Sequence, residues 1–164
     1  MATKTPSPVK RHNALVRFSK EHHYGLLLCW KIRQGVMDGI EERRIADYVL
    51  YFFDADLKKH FEEEEKTLFI KLSPENDLRK QVEREHEAVN GIISNIRKGV
   101  VSKDNLLVFA DTLEKHIRFE ERVLFNHLQQ RLPEDELLEL MNNHSDNAGD
   151  SDSGWADKFW LGKI

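Results

Sequence analysis

Residues 78–100, LRKQVEREHEAVNGIISNIRKGV, decide the fold. Leu78, Val82, His86, Val89, Ile93, Ile96 and Val100 recur at steps of three and four, which places them along one face of an α-helix with the charged side chains opposite. A single polar residue, His86, stands inside that otherwise unbroken apolar stripe. Gly99 ends the helix, and Ser73-Pro74 marks its start, because proline suits a first helical turn and disfavours helix in the residue before it.

Three more stretches of the same kind surround it. The first runs from Asn13 to Asp38 with Leu15, Phe18, His22, Leu26, Cys29 and Val36 inward, Arg33 as a polar interruption and Gly39 as terminator. The second, from about Glu41 to Lys71, carries Ile45, Val49, Phe53, Leu57, His60, Glu64 and Leu68 in register. The last begins at Ser102, a good N-cap, and aligns Leu106, Phe109, Leu113, His116, Glu120 and Leu124 before Pro133. A short fifth helix is expected over Glu134 to Asn142. No strand pattern and no internal repeat is visible. The fold class expected is all-α, an up-and-down antiparallel four-helix bundle with a short fifth helix and a C-terminal tail. Residues 1–11, with Pro6 and Pro8, read as an arm, 12–143 as the bundle, and 144–164 as a tail whose Trp155, Phe159 and Trp160 pack back on it.

A chain of 164 residues with 40% hydrophobic and 33% charged residues, four prolines and eight glycines is that of one helix-rich globular domain. With a net charge of -4 and basic residues interleaved with acidic ones, it has no cationic stripe for a phosphate backbone, so no nucleic acid is expected as partner. Cys29 is the only cysteine, which rules out an intrachain disulfide, and MATKTPSPVKRHN lacks the apolar core of a secretory signal; a reducing, cytoplasmic setting is expected. No apolar run approaches the roughly twenty residues that cross a bilayer. Nothing indicates a particular protein partner.

The histidines on the four stripes share a level. The midpoints of His22/His60, His60/His86 and His86/His116 fall at 41, 73 and 101, beside Asp38-Gly39, at Ser73-Pro74 and between Gly99 and Ser102. Residues equidistant from a turn between antiparallel helices sit at equal height. His60 and His116 are each followed four residues later by glutamate, Glu64 and Glu120, on the same faces. Buried carboxylates facing one another need compensating charge, so His22, His60, Glu64, His86, His116 and Glu120 read as a metal site. Either His22 or its neighbour His23 supplies the first imidazole; His22 continues the Leu15, Phe18, Leu26 face. Imidazole and carboxylate without thiolate suit iron, zinc, copper or manganese. Two carboxylates among four imidazoles are better shared by two ions, with Glu64 and Glu120 bridging and two histidines per ion. Glu62, Glu63 and Glu65 read as a solvated face, Cys29 as core packing, and His12, His127 and His144 as surface residues. Glu83 makes one Glu-x-x-His with His86, but the fourth helix has no second such unit.

His22, His60-Phe-Glu-Glu-Glu64, His86 and His116-Ile-Arg-Phe-Glu120 resemble the ligand pattern of the hemerythrin-like family, in its His-His-Glu cation-binding branch, from Ser19 to Arg131. The resemblance implies a four-helix bundle around two iron ions, an oxo- or hydroxo-bridged di-iron centre, with zinc or manganese as alternatives. It implies binding or sensing of dioxygen, nitric oxide, peroxide or iron itself, in iron homeostasis or responses to oxidative and nitrosative stress. Oxygen carriers of the family have a second histidine where this chain has Asn90, and an aspartate five residues after the fourth-helix histidine, where it has Glu121. A site with one histidine fewer is more open, so di-iron oxidase or peroxidase activity is the alternative to simple binding.

Overall fold

The computed structural model describes residues 10–142 and 154–162. Helix α1 spans Asn13–Met37. Helix α2 covers residues 42–71 and changes its pitch along the way: α-helix over Glu42–Phe52, a π-turn over Phe53–Leu57, α-helix over Lys58–Glu63, a second π-turn over Glu64–Leu68 and a 3-10 turn over Phe69–Lys71. Helix α3 is Asp77–Arg97. Helix α4 covers residues 103–131, α-helical over Lys103–Phe119 and Phe125–Arg131 with a π-turn over Glu120–Leu124 between them. Helix α5 is Glu134–Asn142, and a 3-10 turn, Phe159–Leu161, follows in the tail. The all-α class expected from the sequence is what is found, and no strand occurs among the described residues. None of these helices is long and apolar enough to cross a membrane.

Local chemistry explains the helix ends. At the end of α1, Gly39 adopts φ 69°, and its N–H reaches Val36 O at 3.1 Å while Ile40 N reaches Gly35 O at 3.0 Å. At the end of α3, Gly99 adopts φ 93° with the matching pair, Gly99 N to Ile96 O and Val100 N to Asn95 O, both 3.0 Å. This is the Schellman arrangement, which needs the left-handed backbone that glycine adopts without strain. Ser102 caps α4 as expected, accepting from Asn105 N at 3.0 Å. The start of α3 differs from expectation. Ser73-Pro74 lies in a turn, and the helix begins at Asp77, because Asn76 Oδ1 accepts from Leu78 N at 2.8 Å and a side-chain cap outweighs the proline signal. His12, expected only on the surface, caps α1: its Nδ1 accepts from Ala14 N and its Nε2 meets Glu134, both at 3.0 Å.

The interior consists of two apolar clusters. One, near the arm, gathers Leu15, Phe18, Leu68, Phe69, Val82, Leu124, Phe125 and Leu137. The other, near the tail, gathers Leu28, Cys29, Ile45, Val49, Ile93, Leu106 and Phe109. The tail completes the second: Trp155 stacks on Tyr51 at 4.7 Å, and Trp160 lies 4.8 Å from the Tyr48 ring. Lys31, buried beneath it, donates to the Tyr48 hydroxyl at 3.1 Å and lies 4.1 Å over the Trp160 ring. The expectations for residues 1–9, 143–153 and 163–164, His144 among them, lie outside the described residues.

Gly35 marks how closely the tail packs, since a Cβ there would lie 2.8 Å from the Phe159 ring and 3.0 Å from Ile45. Gly35→Val is therefore expected to lower unfolding free energy by about 1–3 kcal/mol through overpacking. Gly91, on the open side of α3, has nothing within 4 Å, so Gly91→Ala is expected to raise stability by about 0.5–1 kcal/mol. Urea titrations of the two variants beside the parent chain measure both.

Candidate metal centre

Between the two apolar clusters lies a polar layer. His22 from α1, His60 and Glu64 from α2, His86 from α3, and His116 and Glu120 from α4 are all buried, none more than 4% exposed. The four imidazoles come together at one level, as the turn midpoints predict, and of the two adjacent histidines His22 turns inward whereas His23 is exposed. Each imidazole points its Nε2 at the middle. Glu64 places Oε2 3.2 Å from His60 Nε2 and 3.7 Å from His22 Nε2, and Oε1 3.2 Å from His86 Nε2. Glu120 Oε1 lies 3.2 Å from His22 Nε2 and 2.8 Å from His116 Nε2. Two sets of four result, His22, His60, Glu64 and Glu120, and Glu64, His86, His116 and Glu120; within each, one donor atom per residue lies within 4.8 Å of all the others.

An outer ring of four glutamates fixes the imidazoles. The Nδ1 atoms of His22, His60, His86 and His116 meet Glu121 at 3.0 Å, Glu21 at 2.8 Å, Glu65 at 2.9 Å and Glu85 at 2.7 Å. A carboxylate only accepts, so each Nδ1 carries the hydrogen and a neutral ring then has its lone pair on Nε2, toward the centre. Sequence reading missed all four. Glu65 is exposed, as its place on a solvated face predicts, yet it also holds His86. Glu62 is exposed, and Glu63 pairs with Arg17. The ring is itself braced. Arg11 and Ser19 donate to Glu121 at 3.0 and 3.1 Å, and Gln81 to Glu85 at 3.0 Å. Glu83 pairs with Arg79 instead, and Cys29 lies in the apolar cluster, donating to Ala110 O at 3.3 Å, its thiol pushed up to about 12 by burial.

Seen in three dimensions the site has an approximate two-fold repeat, contrary to the sequence reading that found none. Glu21-His22 on α1 matches Glu85-His86 on α3. On α2 and α4 the shared pattern is His-x-x-x-Glu-Glu-x-x-Leu-Phe, from His60 to Phe69 and from His116 to Phe125. In both copies a π-turn opens at the inner glutamate and closes with a bond from the phenylalanine N–H, Phe69 to Glu64 O and Phe125 to Glu120 O. Such turns are rare within helices and gather at functional sites. The two phenylalanines line the imidazoles: Phe125 stacks on His22 at 5.3 Å, and Phe69 lies 5.0 Å from His86.

The donor set fits cations. His86 Nε2 and His116 Nε2 lie 3.1 Å apart, two lone pairs facing each other in the neutral tautomers the outer ring selects. His60 Nε2, Glu64 Oε2 and Glu120 Oε2 are buried without a hydrogen-bond partner. Protons take that role in the metal-free chain. Burial opposes charge on His60, but Glu64 and the bond to Glu21 outweigh it and hold its pKa at about 9; at His116 burial is likewise overcome, chiefly by Glu120, to about 10. His22 is also raised, its burial outweighed by Glu120 and Glu121, while His60 beside it overcomes burial to hold Glu64 well below the usual carboxylate range.

A family model described as the hemerythrin HHE cation binding domain matches residues 13–128. No curated protein and no solved structure matches the chain.

Histidines whose pKa is raised on folding stabilise the metal-free protein fully below their ordinary value near 6.5, and that contribution is lost as pH rises through about 9 to 10. Chelator-treated protein is therefore expected to show a falling urea midpoint between pH 7 and 10.5, and His116→Gln a shallower fall over the same range.

Proposed function

Because the chain belongs to the hemerythrin HHE cation-binding family, we propose that the polar layer holds two metal ions, iron in keeping with that family, and serves to bind or sense a small ligand. The observation that carries this reading is the pair of four-residue sets that share Glu64 and Glu120. His22 and His60 would hold one ion, His86 and His116 the other, with both carboxylates common to the two. Two imidazole nitrogens and two shared carboxylates leave positions over on an ion that takes five or six ligands. Iron at such positions supplies reversible one-electron change and room for dioxygen, nitric oxide or peroxide. Zinc and manganese are the alternatives for the same donors. The outer glutamates hold each ring in orientation and raise its basicity, the usual part of carboxylates behind metal-bound histidine. Phe18, Phe61, Phe69 and Phe125 pack around the rings and keep bulk water from them. Membership of the family is what supports a role in iron homeostasis or in oxidative and nitrosative stress, in a cytoplasmic setting.

Metal analysis of protein from iron-supplied cells is expected to give two irons per chain, with an optical band that changes on reduction and returns on reoxidation. Glu64→Ala and Glu120→Ala, each removing a shared ligand, are expected to cut the content to one or none, and intact loading of both variants would overturn the dinuclear reading. Glu85→Ala should weaken metal binding by about 10–100-fold. Because metal and proton compete for the same Nε2 atoms, apparent affinity should rise with pH from about 6.5 to about 10, and calorimetry in two buffers should show proton release on binding at pH 7.5. Sustained peroxide consumption with an added reductant would place the protein with di-iron peroxidases instead.

A further inference from the structure

The two-fold relation between the halves is broken at one seam. Between α1 and α4 the helices close on each other: a Cβ on Gly25 would lie 2.7 Å from Ile117, Cys29 meets Ala110, and Arg33 ties Asp111 and Glu114 at 2.7 and 3.1 Å. The equivalent seam between α2 and α3 stands open. A cleft of about 430 Å³ lies there, floored by Phe53, Phe61 and Ile93 and walled by Asn90, Ser94 and Arg97. The residues that differ are those the repeat aligns. Ile117 follows His116 as Phe61 follows His60, while Asn90 and Ser94 stand four and eight residues after His86, where Leu26 and Trp30 stand after His22. The cleft wall also begins at the π-turn Phe53–Leu57, which has no counterpart in the α-helical Lys103–Phe119.

The cleft ends on Phe61, one ring away from one half of the centre. Phe61 lines it and stacks on His86 at 3.8 Å, with planes 12° apart, and lies edge-on to His116 at 5.5 Å. Glu65, on the same wall, holds His86 Nδ1. On the opposite half, Phe125 stacks on His22 within the apolar cluster near the arm. Resting on the dinuclear reading above, we propose that the cleft between α2 and α3 is the route by which the small ligand reaches the centre, so that it binds at the ion held by His86 and His116, with Phe61 as the gate. The mouth suits an uncharged molecule. Arg97 is paired with Asp54, and the remaining charges are Lys58 against Glu62 and Glu65, which give no positive field to draw in an anion. Passage beside a ring stacked on His86 selects for a ligand of a few atoms.

The test fills the cleft from its exposed wall. Asn90→Trp and Ser94→Trp change exposed residues of α3 that line the cleft and are not among the six proposed ligands. The probe is nitric oxide mixed with protein loaded with ferrous iron, followed by stopped-flow absorption, with iron content measured on every sample. Each variant is expected to bind two irons and to lower the association rate at least tenfold, while Trp30→Ser, at the exposed position that the repeat aligns with Ser94, leaves it unchanged. Rates within twofold of the parent in both cleft variants, at full iron content, overturn this route and leave the dinuclear reading standing, as does an equal effect from Trp30→Ser. Failure of the parent chain to take up two ions overturns both.

Discussion

Four imidazoles, each tied at Nδ1 to a carboxylate, present four Nε2 atoms to two buried carboxylates, and every other feature of the bundle accommodates that arrangement. Six acceptor groups converge where water is excluded. An uncompensated buried carboxylate costs several kcal/mol even after relaxation, so cations or protons must stand between them. The outer glutamates make the choice of cation matter. By fixing the hydrogen on Nδ1 they leave Nε2 as the only nitrogen available to the centre, so a proton there is exchangeable for a metal without turning a ring.

That layer also dictates how the apolar interior is divided. A polar stratum in mid-bundle separates two hydrophobic clusters, and neither has the full length of the helices to draw on. Aromatic residues bridge the division. Phe61 belongs to the cluster near the tail and Phe69 to that near the arm, and both pack on His86. The rings of the centre are thus built into the core rather than set in a pocket, which explains how four histidines stay almost fully buried.

Much of this was legible in the sequence because the signals are local or follow from simple counting. Apolar periodicity located the helices, Gly39 and Gly99 ended two of them, and equal spacing from the turns brought His22, His60, His86 and His116 to one height. The outer ring was illegible for a physical reason. Glu21, Glu65, Glu85 and Glu121 each adjoin a centre residue in sequence, yet each serves a histidine on a different helix, so on its own helix it lies off the apolar stripe and has the signature of a solvated residue. Glu65, inside the run Glu62 to Glu65, was the hardest to distinguish. The π-turns at Glu64 and Glu120 were not legible either, since the residues that carry them fit an ordinary α-helix equally well. Asn76 shows the local limit: two start signals three residues apart compete, and the one that satisfies backbone N–H groups prevails.

The approximate two-fold repeat gives the two halves the same donors and leaves their surroundings free to differ. Glu121 is held by Arg11 and Ser19 and its side chain is 27% exposed, whereas its counterpart Glu65 is 44% exposed beside the cleft. Ile117 packs against Gly25 in a closed seam, whereas Phe61 faces an open one. Ions in the two halves would therefore share ligands yet differ in access and in the constraint on their supporting carboxylates. On the dinuclear reading, one ion would sit wholly within the core and the other behind Phe61 at the cleft, a difference that identical donor sets alone would not produce and that the packing of α2 against α3 supplies.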